Sequence, residues 1–128
     1  MQQVTTVAGL VSSPHLVRLQ SLDLSGNALL LGGVRVLAAT RAFTDLKELN
    51  LSENGISASG GQVIARAPWL KGLRMLNLSR NRLTDTSGRA ILNAEFGEGL
   101  VRIELQTNEI GRGMKKLLKD KYGPKVRV

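Results

Sequence analysis

One five-place pattern returns along this chain at a fixed interval. Leu19, Leu22, Leu24, Asn27 and Leu29 spell L-x-x-L-x-L-x-x-N-x-L. Adding 27 to each position gives Leu46, Leu49, Leu51, Asn54 and Ile56, and adding it again gives Leu73, Leu76, Leu78, Asn81 and Leu83. A third step gives Leu100, Ile103, Leu105, Asn108 and Ile110, so all twenty positions hold an aliphatic residue or asparagine. Such a chain is restricted to architectures in which one supersecondary unit stacks on copies of itself.

The rest of each unit is periodic too. Leu10, Leu37, Ile64, Ile91 and Leu118 lie on the same ladder, Gly33 and Gly60 repeat, and Gly88 follows one place late. Leu16, Phe43 and Leu70 fill a further column that drifts to Phe96 or Gly97 in the fourth unit. In Leu22-Asp23-Leu24, Leu49-Asn50-Leu51, Leu76-Asn77-Leu78 and Ile103-Glu104-Leu105, apolar and polar residues alternate, which predicts short strands with one face inward. Over 33–40 and 60–66 the apolar residues take helical spacing, and Pro68 is expected to end the second helix. Stacked strand–helix units make a parallel sheet under a helix layer. Helices are about 10 Å wide and strands lie about 4.8 Å apart, so the stack bends with the sheet on the concave side.

The asparagine column, Asn27, Asn54, Asn81 and Asn108, reads as structural. Its side chains carry donors and an acceptor for backbone groups freed where each strand turns away. Leaving those groups buried and unpaired would cost about 1–3 kcal/mol each.

These columns resemble the leucine-rich repeat family. The glycine four places after the motif (Leu29 to Gly33, Ile56 to Gly60) resembles its ribonuclease-inhibitor-like subtype, and Ser13-Pro14-His15-Leu16 and residues 121–126 resemble junctions and endings in large bacterial members. The resemblance implies an α/β solenoid, a right-handed horseshoe arc that binds proteins and seldom catalyses. The expected layout is one domain over 1–128: an N-terminal half-repeat (1–18), repeat units 19–45, 46–72, 73–99 and 100–111, and a basic capping helix and tail (112–128).

Charge follows this layout. Residues 1–111 carry eleven basic and nine acidic side chains, whereas 112–128 carry seven basic ones against Asp120 alone. Arg112, Lys115, Lys116, Lys119, Lys121, Lys125 and Arg127 therefore form one basic segment. Its expected role is the polar face of a terminating helix, with Met114, Leu117, Leu118 and Tyr122 covering the last unit. The alternative is an anionic-ligand binder, for nucleic acid or another acidic surface, through phosphate neutralisation. With only Tyr122 interleaved, base stacking has little support, and nucleic acid is disfavoured.

By the same alternation, Ser21, Asp23, Glu48, Asn50, Glu53, Met75, Asn77, Arg80, Arg102 and Glu104 define an outward strand face. It runs from acidic (Asp23, Glu48, Glu53) to basic (Arg80, Arg102), and a partner of matching gradient would gain specificity and rate. The expected function is therefore a non-catalytic protein–protein interaction module, its partner a protein. A structural alternative is edge-to-edge self-association at the open first strand, near 19–24.

No chemistry-bearing constellation competes with that reading. The chain has no cysteine and one histidine, His15, so thiolate chemistry and two-imidazole metal sites are excluded, and no catalytic residue, metal or cofactor is expected. Gly111-Arg112-Gly113-Met114-Lys115-Lys116 lacks the phosphate-loop spacing and its hydroxyl. Glu95 and Glu98 fall on a connection open to solvent. His15 and Trp69, two periods apart, share a slot expected on the outer surface, where an exposed indole could anchor a neighbour. Asn50-Leu51-Ser52 and Asn77-Leu78-Ser79 match the glycosylation sequon only because L-N-L-S repeats. Without a signal-like start or a long apolar run, no membrane association and a cytoplasmic location are expected.

Overall fold

The computed structural model describes residues 18–128. The expected half-repeat, apart from Arg18, and with it Pro14 and His15, lies outside them. Four strand–helix units follow one another: β1 (Ser21–Asp23) and α1 (Leu30–Ala39), β2 (Glu48–Asn50) and α2 (Ala58–Ile64), β3 (Met75–Asn77) and α3 (Asp85–Leu92), β4 (Arg102–Glu104) and α4 (Arg112–Tyr122). A two-residue strand, β5 (Val126–Arg127), closes the order. All neighbouring strands are parallel, in the order β1-β2-β3-β4-β5.

The period sets the register. Leu22 pairs with Leu49, Leu49 with Leu76, and Leu76 with Ile103, so each apolar column of the sequence becomes a stack through the core. Leu46, Leu49, Leu51, Ile56, Leu73, Leu76, Leu78, Leu83, Ile103 and Leu105 are all buried, and α1–α4 cover them with Val34, Leu37, Ile64, Ile91 and Leu118. Full burial of each such side chain contributes about 1.5–3 kcal/mol.

The asparagine amides bind consecutive turns together. Asn54 Oδ1 accepts the N–H groups of Asn27 (2.8 Å) and Leu29 (3.4 Å) in the preceding unit, while its Nδ2 donates to the carbonyls of Leu24, Leu51 and Ser52. Asn81 makes the same five contacts one unit on, to Asn54, Ile56, Leu51, Leu78 and Ser79. Asn108 accepts from Leu83 and donates to Leu78, Leu105 and Gln106. Among the described residues, the Asn27 side chain donates only within its own turn, to Leu24 and Ser25.

Helix packing revises the glycine column. A methyl built on Gly61 would stand 2.5 Å from Ser87 Cβ, and one on Gly88 2.7 Å from Met114 Cγ. Gly88 is thus the counterpart of Gly61, one full period on, rather than a late copy of Gly60. Each small residue receives the side chain of the next unit, and Val34 in the same column meets Gly60.

The connections depart from the sequence reading in two further ways. α2 ends at Ile64, four residues before Pro68, and the proline instead opens a 3₁₀ turn (Pro68–Gly72). Trp69, expected on the surface, is only 4% exposed within that turn. Its Nε1 donates to Leu37 O at 2.9 Å, and its ring stands edge-on to Phe43 with centroids 6.2 Å apart. A carbonyl near the end of α1 and an aromatic neighbour drew the ring inward. The same device recurs two units on: Tyr122 donates to Ile91 O at 2.7 Å and stands edge-on to Phe96 at 6.0 Å. Leu37 and Ile91 are two periods apart, so the protein's four aromatic side chains form two equivalent clusters.

The C-terminal tail is also more ordered than a capping helix alone. After Gly123, held at φ +59°, a 3₁₀ turn leads into β5, which pairs Val126 with Ile103 and Arg127 with Glu104. This final step falls four places short of the period, so the repeat could not announce it.

Candidate functional site

The outward positions of β1–β4 form two parallel columns about 4.8 Å apart from strand to strand. One holds Ser21, Glu48, Met75 and Arg102; the other holds Asp23, Asn50, Asn77 and Glu104, extended by Arg127 of β5. The structure thus brings the sequence-derived strand-face residues onto one surface. Ser21, Asp23, Glu48, Glu53 and Arg80 are exposed, and Asn50, Met75, Asn77, Arg102 and Glu104 are half-buried. A shallow hollow of about 240 Å³ lies across this face, lined mainly by β1–β3 and by Glu104.

Local bonding divides the face into engaged and unengaged groups. Asp23 Oδ1 accepts both the N–H and the hydroxyl of Ser25, at 2.9 and 2.6 Å. These bonds, the hydroxyl first, hold the Asp23 carboxyl below the usual carboxylate range. Asn50 accepts the N–H of Ser52, and Asn77 accepts the N–H and hydroxyl of Ser79. Glu104 accepts from Gln106 Nε2 at 3.4 Å and lies 3.8 Å from the Arg127 guanidinium. The second column therefore shapes the turns as well as the surface. Among the described residues, Glu48, Glu53, Arg80 and Arg102 form no ion pair, which leaves their charges to the surface.

A third column stands at the strand exits. Gly26, Glu53, Arg80 and Thr107 have φ of +67°, +56°, +55° and +58°. The backbone needs the left-handed region there, yet three of the four carry side chains at a cost on the order of 1 kcal/mol each. The L-x-x-N spacing carries no sign of this, and glycine at the first of the four positions is the one available signal.

The side chains of the basic segment differ in their surroundings. Arg127 belongs to the sheet face, Lys116 pairs with Asp120 at 3.0 Å, and Lys121 Nζ donates to Leu92 O at the end of α3. Arg112, Lys119 and Lys125 are exposed, and Lys115 is half-buried. Leu117, expected to cover the last unit, is 41% exposed instead. Among the described residues, no group of three His, Cys, Asp or Glu side chains could hold a metal ion, and no helix is long and apolar enough to cross a membrane.

Two family models, both described as leucine-rich repeats, match the chain: one over 44–65 and 73–92, the other over 18–38. The fold is a leucine-rich repeat α/β solenoid. A solved structure of leiomodin-1 actin-binding site 2 resembles it, with a TM-score of 0.57 at 18% identity over 94% of this chain and 72% of that one. At that identity the likeness concerns the fold alone. No curated protein matches this chain. The leucine-rich repeats carry the motif columns described above, and the matched segments run from strand into helix in each of the first three units.

Proposed function

We propose that this leucine-rich repeat protein is a non-catalytic interaction module that holds a protein partner on its sheet face. One observation carries the reading. Four charges without an ion pair among the described residues, Glu48, Glu53, Arg80 and Arg102, stand on a single regular surface, the acids on one side and the bases on the other. A partner with the opposite order would be steered and oriented by it. Leucine-rich repeat proteins generally bind rather than catalyse, which agrees with the absence of a catalytic constellation in the sequence.

The same reading takes the chain as one domain of the ribonuclease-inhibitor-like subtype acting in the cytoplasm. The constant register from β1 to β4 and a helix in every unit support the subtype, and the lack of cysteine is consistent with a reducing compartment. The basic segment then serves mainly to terminate the array, because Lys116, Lys121 and Arg127 are engaged within the protein.

The test is a pull-down from source lysate at moderate salt, read by mass spectrometry. It compares the intact chain with a variant carrying Glu48→Arg, Glu53→Arg, Arg80→Glu and Arg102→Glu. A protein held by the former and lost by the latter supports the sheet face. Equal recovery by both would refute it.

A further inference from the structure

The helix layer is uneven. α1 and α4 have 10 and 11 residues, whereas α2 and α3 have 7 and 8. α2, α3 and α4 line a groove of about 920 Å³, on the opposite side of the molecule from the sheet face. Ala65, Ala90, Met114 and Leu117 give it an apolar floor, with Leu117 41% exposed. Arg66 and Arg89 stand on its walls. Both are exposed, and among the described residues neither makes an ion pair. The acid beside them, Asp85, already accepts the Gly111 N–H at 2.6 Å. A second hollow of about 390 Å³ shares Ala65 and Arg66 and prolongs the groove toward the Pro68 turn.

We propose that this trough is a second docking surface, one that seats an acidic amphipathic helix of a partner protein. Packed helices sit about 8–10 Å apart when the side chains between them are small, as Ala65 and Ala90 are. Apolar side chains of the incoming helix would rest over Ala90 and Leu117, and its carboxylates would meet Arg66 and Arg89 in paired hydrogen bonds. Two arginines against the single carboxylate of Asp85 favour an acidic helix over a basic one, and the concavity fits a helix better than a flat membrane surface.

The experiment selects a displayed library of helical peptides on the full chain and measures the enriched peptides by fluorescence anisotropy. The expected result is enrichment of Glu or Asp beside Leu, Ile or Met at helical spacing. Affinity should fall about tenfold or more on combined Arg66→Glu and Arg89→Glu substitution. It should also fall on Ala90→Arg and stay unchanged in the four-residue sheet-face variant. Should the reversal variant fail to fold by circular dichroism, Arg66→Gln with Arg89→Gln replaces it. Peptides lacking acidic enrichment, or binding indifferent to the groove substitutions, would overturn the proposal. So would preferential binding to phosphatidylserine vesicles that the arginine substitutions abolish.

Discussion

The interior of the array and its C-terminal end solve one problem by different means. Inside, the strands keep one constant step and the asparagine amides tie each turn to the one before it. At the end, β5 arrives four places early, Gly123 takes a left-handed turn, and Tyr122 and Lys121 satisfy the last carbonyls of α3. A repeating unit can rely on its neighbour to supply the same partner each time. The fourth unit is followed by the out-of-period β5, so the partners there come from residues outside the pattern.

Deleting 112–128 attacks that difference most strongly. It removes three buried side chains, Met114, Leu118 and Val126, worth about 1.5–3 kcal/mol each, from a domain whose whole stability is on the order of 5–15 kcal/mol. Size-exclusion chromatography and circular dichroism should show an aggregated or unfolded chain; a cooperative monomer would mean that the end is ornamental. The ladder comes next. Asn54→Ala should cost about 3 kcal/mol in urea denaturation and Asn27→Ala about 1 kcal/mol, because among the described residues only the former serves two turns. Equal losses would break the distinction between interior and edge.

Smaller effects sharpen it. Trp69→Phe and Tyr122→Phe should each cost about 1–2 kcal/mol, since each removes the donor to an equivalent carbonyl, Leu37 O or Ile91 O. A neutral Tyr122→Phe would show that the two aromatic clusters are not alike. Arg80→Gly, at φ +55°, should be neutral or stabilise by up to about 1 kcal/mol, whereas glycine at an ordinary surface site destabilises. The smallest effect is a pH dependence. The Asp23 carboxyl is depressed in the folded state, so its contribution is present above the unfolded carboxylate pKa and fades as pH falls through the lower folded value. Asp23→Asn should abolish that acid-side component of thermal stability while keeping the turn, as Asn50 and Asn77 do in the same column.

What the sequence disclosed follows the same division. The leucine, isoleucine and asparagine columns revealed the units, the parallel register and the outward face, because a period forces each residue type into one environment. Trp69 and β5 escaped. The indole's partner, Leu37 O, is a backbone group that no residue identity reveals, and Val126-Arg127 is too short and out of period to read as a strand. The left-handed column escaped for a related reason: Glu53, Arg80 and Thr107 are not glycine, so their backbone conformation is imposed by the stack.

Hydroxyl-radical footprinting of the chain with its captured partner tests the functional claim most directly, since Met75 lies on the sheet face and Leu117 on the helix side. A partner that the four-residue sheet-face variant fails to hold should shield Met75 from oxidation, whatever happens at Leu117. A Met75 as reactive in that complex as in the free protein would contradict the sheet-face reading.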